Sequence, residues 1–201
     1  TQLVLGTGAT IALIIVLSFT LFGSSIISSS VSPSSNTDTL IREYDKQSLK
    51  NLKKWKTLNR KQKLNTLQTI CNKERDYLGI SSKIKVGGGE MLSHPYAMYN
   101  HKAKEITIDL NQLDKASSDT LLEALLHSVY HAYEYALVDS YDQMGSHYTK
   151  LLEYRKISIY KEEFSVKVTN KAVNFNQINE SDAKAYAAES LSDYHKQLKN
   201  I

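Results

Sequence analysis

Two histidines stand four residues apart in the run Leu125-Leu126-His127-Ser128-Val129-Tyr130-His131-Ala132-Tyr133. On an α-helix this spacing sets the imidazoles about 40° apart around the axis and one turn apart along it, so both can reach one tetrahedral zinc ion. The same pair is also what two ordinary helix histidines look like in a chain that has six. The lone Cys71 excludes a cysteine-based zinc site and an intramolecular disulfide framework. A further ligand could come from a carboxylate elsewhere in the chain, and Glu180, Asp182 and Glu189 are candidates. Each has a plainer reading as a solvated or helix-capping acid, most of all Glu180, which falls at a helix start. Glu134 lies about 20° from His127 around the helix but about 10.5 Å along it, too far to share one ion. It is expected to orient a ligand, or to be a polar helix residue. Ser128 cannot take a proton near neutral pH unless another base activates it.

These side chains need elements to hold them. Leu121, Leu122, Leu125, Val129, Ala132 and Ala136 repeat at helical spacing, with Ser117 or Ser118 as the cap, and predict a helix to about Val138. Ahead of it, Tyr96–Tyr99 and the alternating Ile106–Leu110 predict a hairpin across Asn100-His101-Lys102. Lys83–Val86 alternates as a further strand, which Gly87-Gly88-Gly89 is expected to end. The triple glycine lacks the Gly-Lys-Ser/Thr ending of a phosphate loop. Apolar residues from Leu40 to Leu78 recur at three- and four-residue steps, predicting two helices with a break near Leu58-Asn59 and a stop at Gly79. An amphipathic stretch from about Asp142 to Val173 follows, and then a last helix from near Glu180 through Ala183, Tyr186, Ala187 and Leu191. Helices, a small sheet, then helices make an α+β class, mostly helical with a small antiparallel or mixed sheet.

Asp119 through His127 and on to Tyr133, after a strand of the Ile106-Thr107-Ile108 kind, resembles the active-site helix of gluzincin-type (zincin) metallopeptidase domains. The likeness is to those of bacterial mobile elements and phage-repressor-cleaving peptidases. Glu180-Ser181-Asp182-Ala183-Lys184-Ala185-Tyr186-Ala187 resembles their later segment, whose first glutamate is a zinc ligand, and Leu64–Ile80 resembles the helix before their sheet. The resemblance covers about Trp55 to Tyr194. It implies a zincin-like fold and one zinc ion held by His127, His131 and Glu180, with a peptide or protein as substrate or ligand. One position departs from the pattern. The family motif is His-Glu-x-x-His, in which the glutamate is the general base, and here Ser128 occupies that place. The expectation is a metallopeptidase-like protein impaired in catalysis. The alternatives are a zinc-binding or structural module without catalysis, or an engineered inactive form of an active enzyme.

Leu3 to Ile27 carries no charged residue and is long enough to span a bilayer, so residues 1–27 are expected to anchor the chain in a membrane, with a cleaved secretion signal as the alternative. Residues 28–38 read as a serine-rich linker and 39–201 as the zincin-like domain, placed outside the cytoplasm or secreted. Lysines at 46, 50, 53, 54 and 56 cluster on the first helix and read as a solvated face. The net charge of +4 is too small to argue for nucleic acid, and none is expected.

Overall fold

The computed structural model describes residues 42–92, 95–143, 154–165 and 177–201. The apolar segment 1–27 and the linker 28–38 lie outside the described residues. Among those described, no helix is long and apolar enough to cross a membrane.

The chain enters at Arg42 and forms helix α1 (Lys46–Lys53), whose N-cap Asp45 accepts a hydrogen bond from the Ser48 amide at 2.6 Å. A 3-10 turn (Trp55–Thr57) makes the expected break, and α2 (Arg60–Tyr77) follows. Asn59 and Gln62 form a reciprocal capping box at the start of α2. Gly79, with φ of 69°, ends the block in a conformation that glycine reaches without a Cβ penalty.

Three strands make one mixed sheet in the order β1-β3-β2, with β1 (Lys85–Gly89) parallel to β3 (Glu105–Asp109) and β2 (Ala97–Asn100) antiparallel to it. The hairpin is as expected from the alternation. The first strand is not: it runs through the triple glycine instead of ending there. A Cβ on Gly88 would meet Leu110 at 2.5 Å and Leu64 at 3.3 Å, so the bare backbone lets the strand lie close against its neighbours.

Asp109 closes β3 and caps a short helix, α3 (Leu110–Lys115), accepting from the amides of Asn111 and Gln112. Helix α4 (Ser118–Asp142) is capped by Ser117 and runs about a turn past the expected end. Of the 142–173 stretch, α5 (Arg155–Ser165) is described, and α6 (Ile178–Lys199) begins two residues before Glu180. Ile106, Ile108, Leu121, Leu122, Leu125 and Leu126 are fully buried between sheet and helices. Burying one such side chain is worth about 1.5–3 kcal/mol, which fixes α4 as the central helix. The small residues Ala183 and Ala187 let α6 pack close along α4, where Tyr130 stacks on Tyr186 with ring centroids 4.8 Å apart. The histidine helix is thereby held between the hairpin and the last helix.

Candidate metal centre

His127 and His131 project from the same face of α4, and Glu180 reaches them from the first turn of α6. The His127 and His131 Nε2 atoms are 3.0 Å apart, with the rings nearly perpendicular. Glu180 places Oε2 3.5 Å from His127 Nε2 and Oε1 3.4 Å from His131 Nε2. Donors held about 2.0–2.2 Å from a zinc ion at tetrahedral angles lie about 3.3–3.6 Å from one another. Each nitrogen–oxygen distance matches that figure but reaches a different oxygen of Glu180, the nitrogen–nitrogen edge is slightly shorter, and one donor atom from each residue lies within 4.8 Å of the others. The three residues are each partly exposed, so the donors face outward rather than into the core.

Glu134 is the buried member of the group. Its Oε2 accepts a hydrogen bond from His131 Nδ1 at 2.8 Å, and the residue is fully enclosed. With Nδ1 donating, the neutral His131 ring keeps its Nε2 lone pair for the outer side, where His127 and Glu180 converge. Burial opposes charge on His131, but hydrogen bonds to Glu134 and Glu180 outweigh it and raise its pKa to about 9. Burial pushes the Glu134 carboxyl up to about 7 against the pull of His131. Glu180 goes the other way, held well below the usual carboxylate range by its hydrogen bonds with the two histidines. The hydrogen bonds within the group favour a proton on His131, and a metal ion would have to compete for the same lone pairs.

The rival carboxylates are elsewhere. Asp182 accepts from the Tyr160 hydroxyl and pairs with Lys156 Nζ at 2.6 Å, and Glu189 is exposed. Neither joins the group of donors. Ser128 is buried at 2% exposure and lines a cleft of about 470 Å³ together with His127, His131, Glu180 and strand β2. Comparison with family models, with curated proteins and with solved structures finds no match. The site must therefore be read from its own chemistry.

Glu163 has a part that sequence reasoning missed. From α5 its two carboxylate oxygens accept the backbone amides of Ile178 and Asn179, at 2.8 and 2.9 Å. These are among the orphan amides of the first turn of α6, so Glu163 fixes the turn that presents Glu180. A capping acid supplied from another helix leaves no local sequence signal. His101, by contrast, stacks on Tyr135 and pairs with Asp139 at the hairpin end. It is not among the clustered donors.

Proposed function

We propose that the chain is a zinc-binding, metallopeptidase-like protein in a zincin-like fold, impaired in hydrolysis at Ser128. One observation carries this reading: two imidazole nitrogens of one helix and the carboxylate of another converge, with contacts of 3.0–3.5 Å. Such a donor set suits zinc, which takes imidazole and carboxylate together and commonly keeps one position open for substrate. His127, His131 and Glu180 would hold the ion, and Glu134 fixes the tautomer and orientation of His131 through Nδ1. Bound zinc would supply Lewis-acid polarisation of a carbonyl and acidify water.

The chain's own residues define the rest. Among the described residues β2 pairs only with β3, and its other edge borders the cleft. An extended peptide can add there as a further strand, held by backbone hydrogen bonds beside the histidines. Ser128 lines this cleft but offers no base, and loss of general-base assistance costs typically 10²–10⁴-fold in rate. The same reading places the protein at a membrane through residues 3–27, or outside the cell after cleavage.

Metal analysis of the purified chain tests the site, with one zinc per chain expected and none after His131→Ala. Peptide hydrolysis then tests the serine. The unaltered protein should stay near background and Ser128→Glu should raise the rate at least tenfold, with zinc content unchanged. A chain that takes up no zinc at neutral pH would end this reading.

A further inference from the structure

From Lys46 to Lys73 the chain holds nine basic residues and no acidic one. Three of these are used internally. Arg60 pairs with Asp114, Lys73 pairs with Glu43, and the buried Lys63 donates to the Leu113 carbonyl. The other six, Lys46, Lys50, Lys53, Lys54, Lys56 and Lys61, are all exposed. None of the six has an ion-pair partner among the described residues. On α1, Lys46, Lys50 and Lys53 recur at steps of four and three, so they line one stripe, with Lys54 at its side. Ser48, Leu49 and Leu52 take the opposite side, against the core. Lys56 and Lys61 continue the positive surface across the 3-10 turn into α2.

We infer that this face docks the domain on the anionic surface of the lipid bilayer that holds its N-terminal segment. The inference rests on the reading of residues 3–27 as a membrane anchor. Two observations single out a bilayer as the occupant. The charge-free stretch ends at Ile27, and only 14 residues (28–41) separate it from the first described residue. Fourteen residues span at most about 50 Å even when fully extended, which bounds the distance of α1 from the headgroups. Anionic headgroups attract basic segments by roughly fivefold in affinity per lysine near the surface, within a Debye length of about 8 Å. The face also lacks what a single-stranded nucleic-acid surface uses. Its one aromatic residue, Trp55, is buried under the helix and offers no ring on which a base could stack.

Docking would fix the orientation of the domain to its membrane without using any residue of the metal centre. The test uses the full chain in vesicles, with a fluorophore on Gln47→Cys beside the stripe and an energy acceptor on the lipid headgroups. Cys71 is buried and leaves the new thiol as the reactive one. Energy transfer should be severalfold higher with phosphatidylserine present than in phosphatidylcholine alone, and should fall to the neutral-lipid level in high salt. Replacing Lys46, Lys50, Lys53 and Lys54 by Glu should abolish the difference, and replacing them by Arg should keep it. Unchanged circular dichroism would show that the reversed variant folds. Equal transfer in both lipids, or an undiminished signal in the Glu variant, would overturn the proposal. So would a signal that responds to a short oligonucleotide and not to phosphatidylserine. Flotation with neutral vesicles separates the two readings. A chain that does not float removes the anchor and the proposal with it, whereas one that floats but ignores lipid charge removes the docking face alone.

Discussion

Helix α6 carries two clusters of ionisable groups, one near each end, and they are built to opposite purposes. Near its start Glu180 meets His127 and His131, partly open to a cleft. Further along, Tyr186 and Tyr194 both donate to the carboxylate of Glu74, the latter at 3.0 Å, on a residue with no exposed surface. Arg42 closes that second cluster, with Nε 3.4 Å from Glu74 and its other nitrogens on Ser190 at 2.9 Å and Asp193 at 3.2 Å. Its guanidinium also lies 4.4 Å from the centre of the Tyr77 ring. The difference lies in the partners. Guanidinium and phenol groups keep their protons and have only donors to offer a carboxylate, whereas imidazoles can surrender a proton and present a lone pair. The Glu74 cluster holds helices together, whereas the proposed role of the Glu180 cluster is to exchange a proton for a metal ion.

That contrast can be broken most forcefully at Glu74. Glu74→Ala leaves the half-buried Arg42 with Asp193 as its remaining carboxylate and strips the buried Tyr186 and Tyr194 hydroxyls of their acceptor, and should cost about 3–5 kcal/mol of stability by chemical denaturation. Zinc uptake by the fraction that remains folded should be unaffected. The reverse pattern, normal stability with lost zinc, would mean that the two clusters are not separate.

A pH titration of stability sharpens the comparison. His131 has its pKa raised to about 9 in the folded metal-free state, against about 6.5 for an unperturbed histidine. A raised pKa contributes stability that is fully present below about pH 6.5 and is lost as pH rises through 9. The raised carboxyl of Glu134 acts in the same direction at lower pH. The metal-free protein should therefore lose up to about 3 kcal/mol between pH 6.5 and 9, and the zinc-loaded protein much less. A flat profile for the metal-free chain would contradict the proton-holding role of the site.

Smaller effects separate the supporting residues. Glu134→Gln keeps the shape but weakens the hydrogen bond to His131 Nδ1, and should lower zinc affinity about 10–100-fold in a competition titration. Tyr194→Phe removes one donor from Glu74, should cost about 1.5–3 kcal/mol or less, and should leave zinc affinity unchanged. Zinc loss in the tyrosine variant would show the clusters to be coupled along α6.

The two clusters also differed in how far the sequence disclosed them. The histidine pair was legible because both residues sit on one helix, where spacing fixes geometry. Helix α4 followed from the same periodicity, with its cap narrowed to Ser117 or Ser118, of which Ser117 takes the place. Glu180 could be picked over Asp182 and Glu189 only by resemblance, because contacts between helices leave no spacing signature. The Glu74–Arg42 pair was not seen at all. A glutamate within Lys73-Glu74-Arg75-Asp76 reads as solvated, and nothing local reveals that hydroxyls 112 and 120 residues away would enclose it. The strand through Gly87-Gly88-Gly89 was hidden for a related reason. Glycine is a poor strand former alone, and the close approach of Leu110 that requires it is a tertiary fact.

The place of α6 in chain order has a further consequence, for synthesis. Arg42, Glu74, His127 and His131 all leave the ribosome before any residue of α6. Neither cluster can close until this 22-residue helix has emerged, since each takes its completing side chains from it. The nascent chain must then extend by more than a hundred residues beyond Glu74, and by about fifty beyond the histidines, before their partners on this helix emerge. Contacts spanning more than a hundred residues are also the slowest to form. The enclosure of Glu74 and the assembly of the proposed metal centre thereby wait on the same helix.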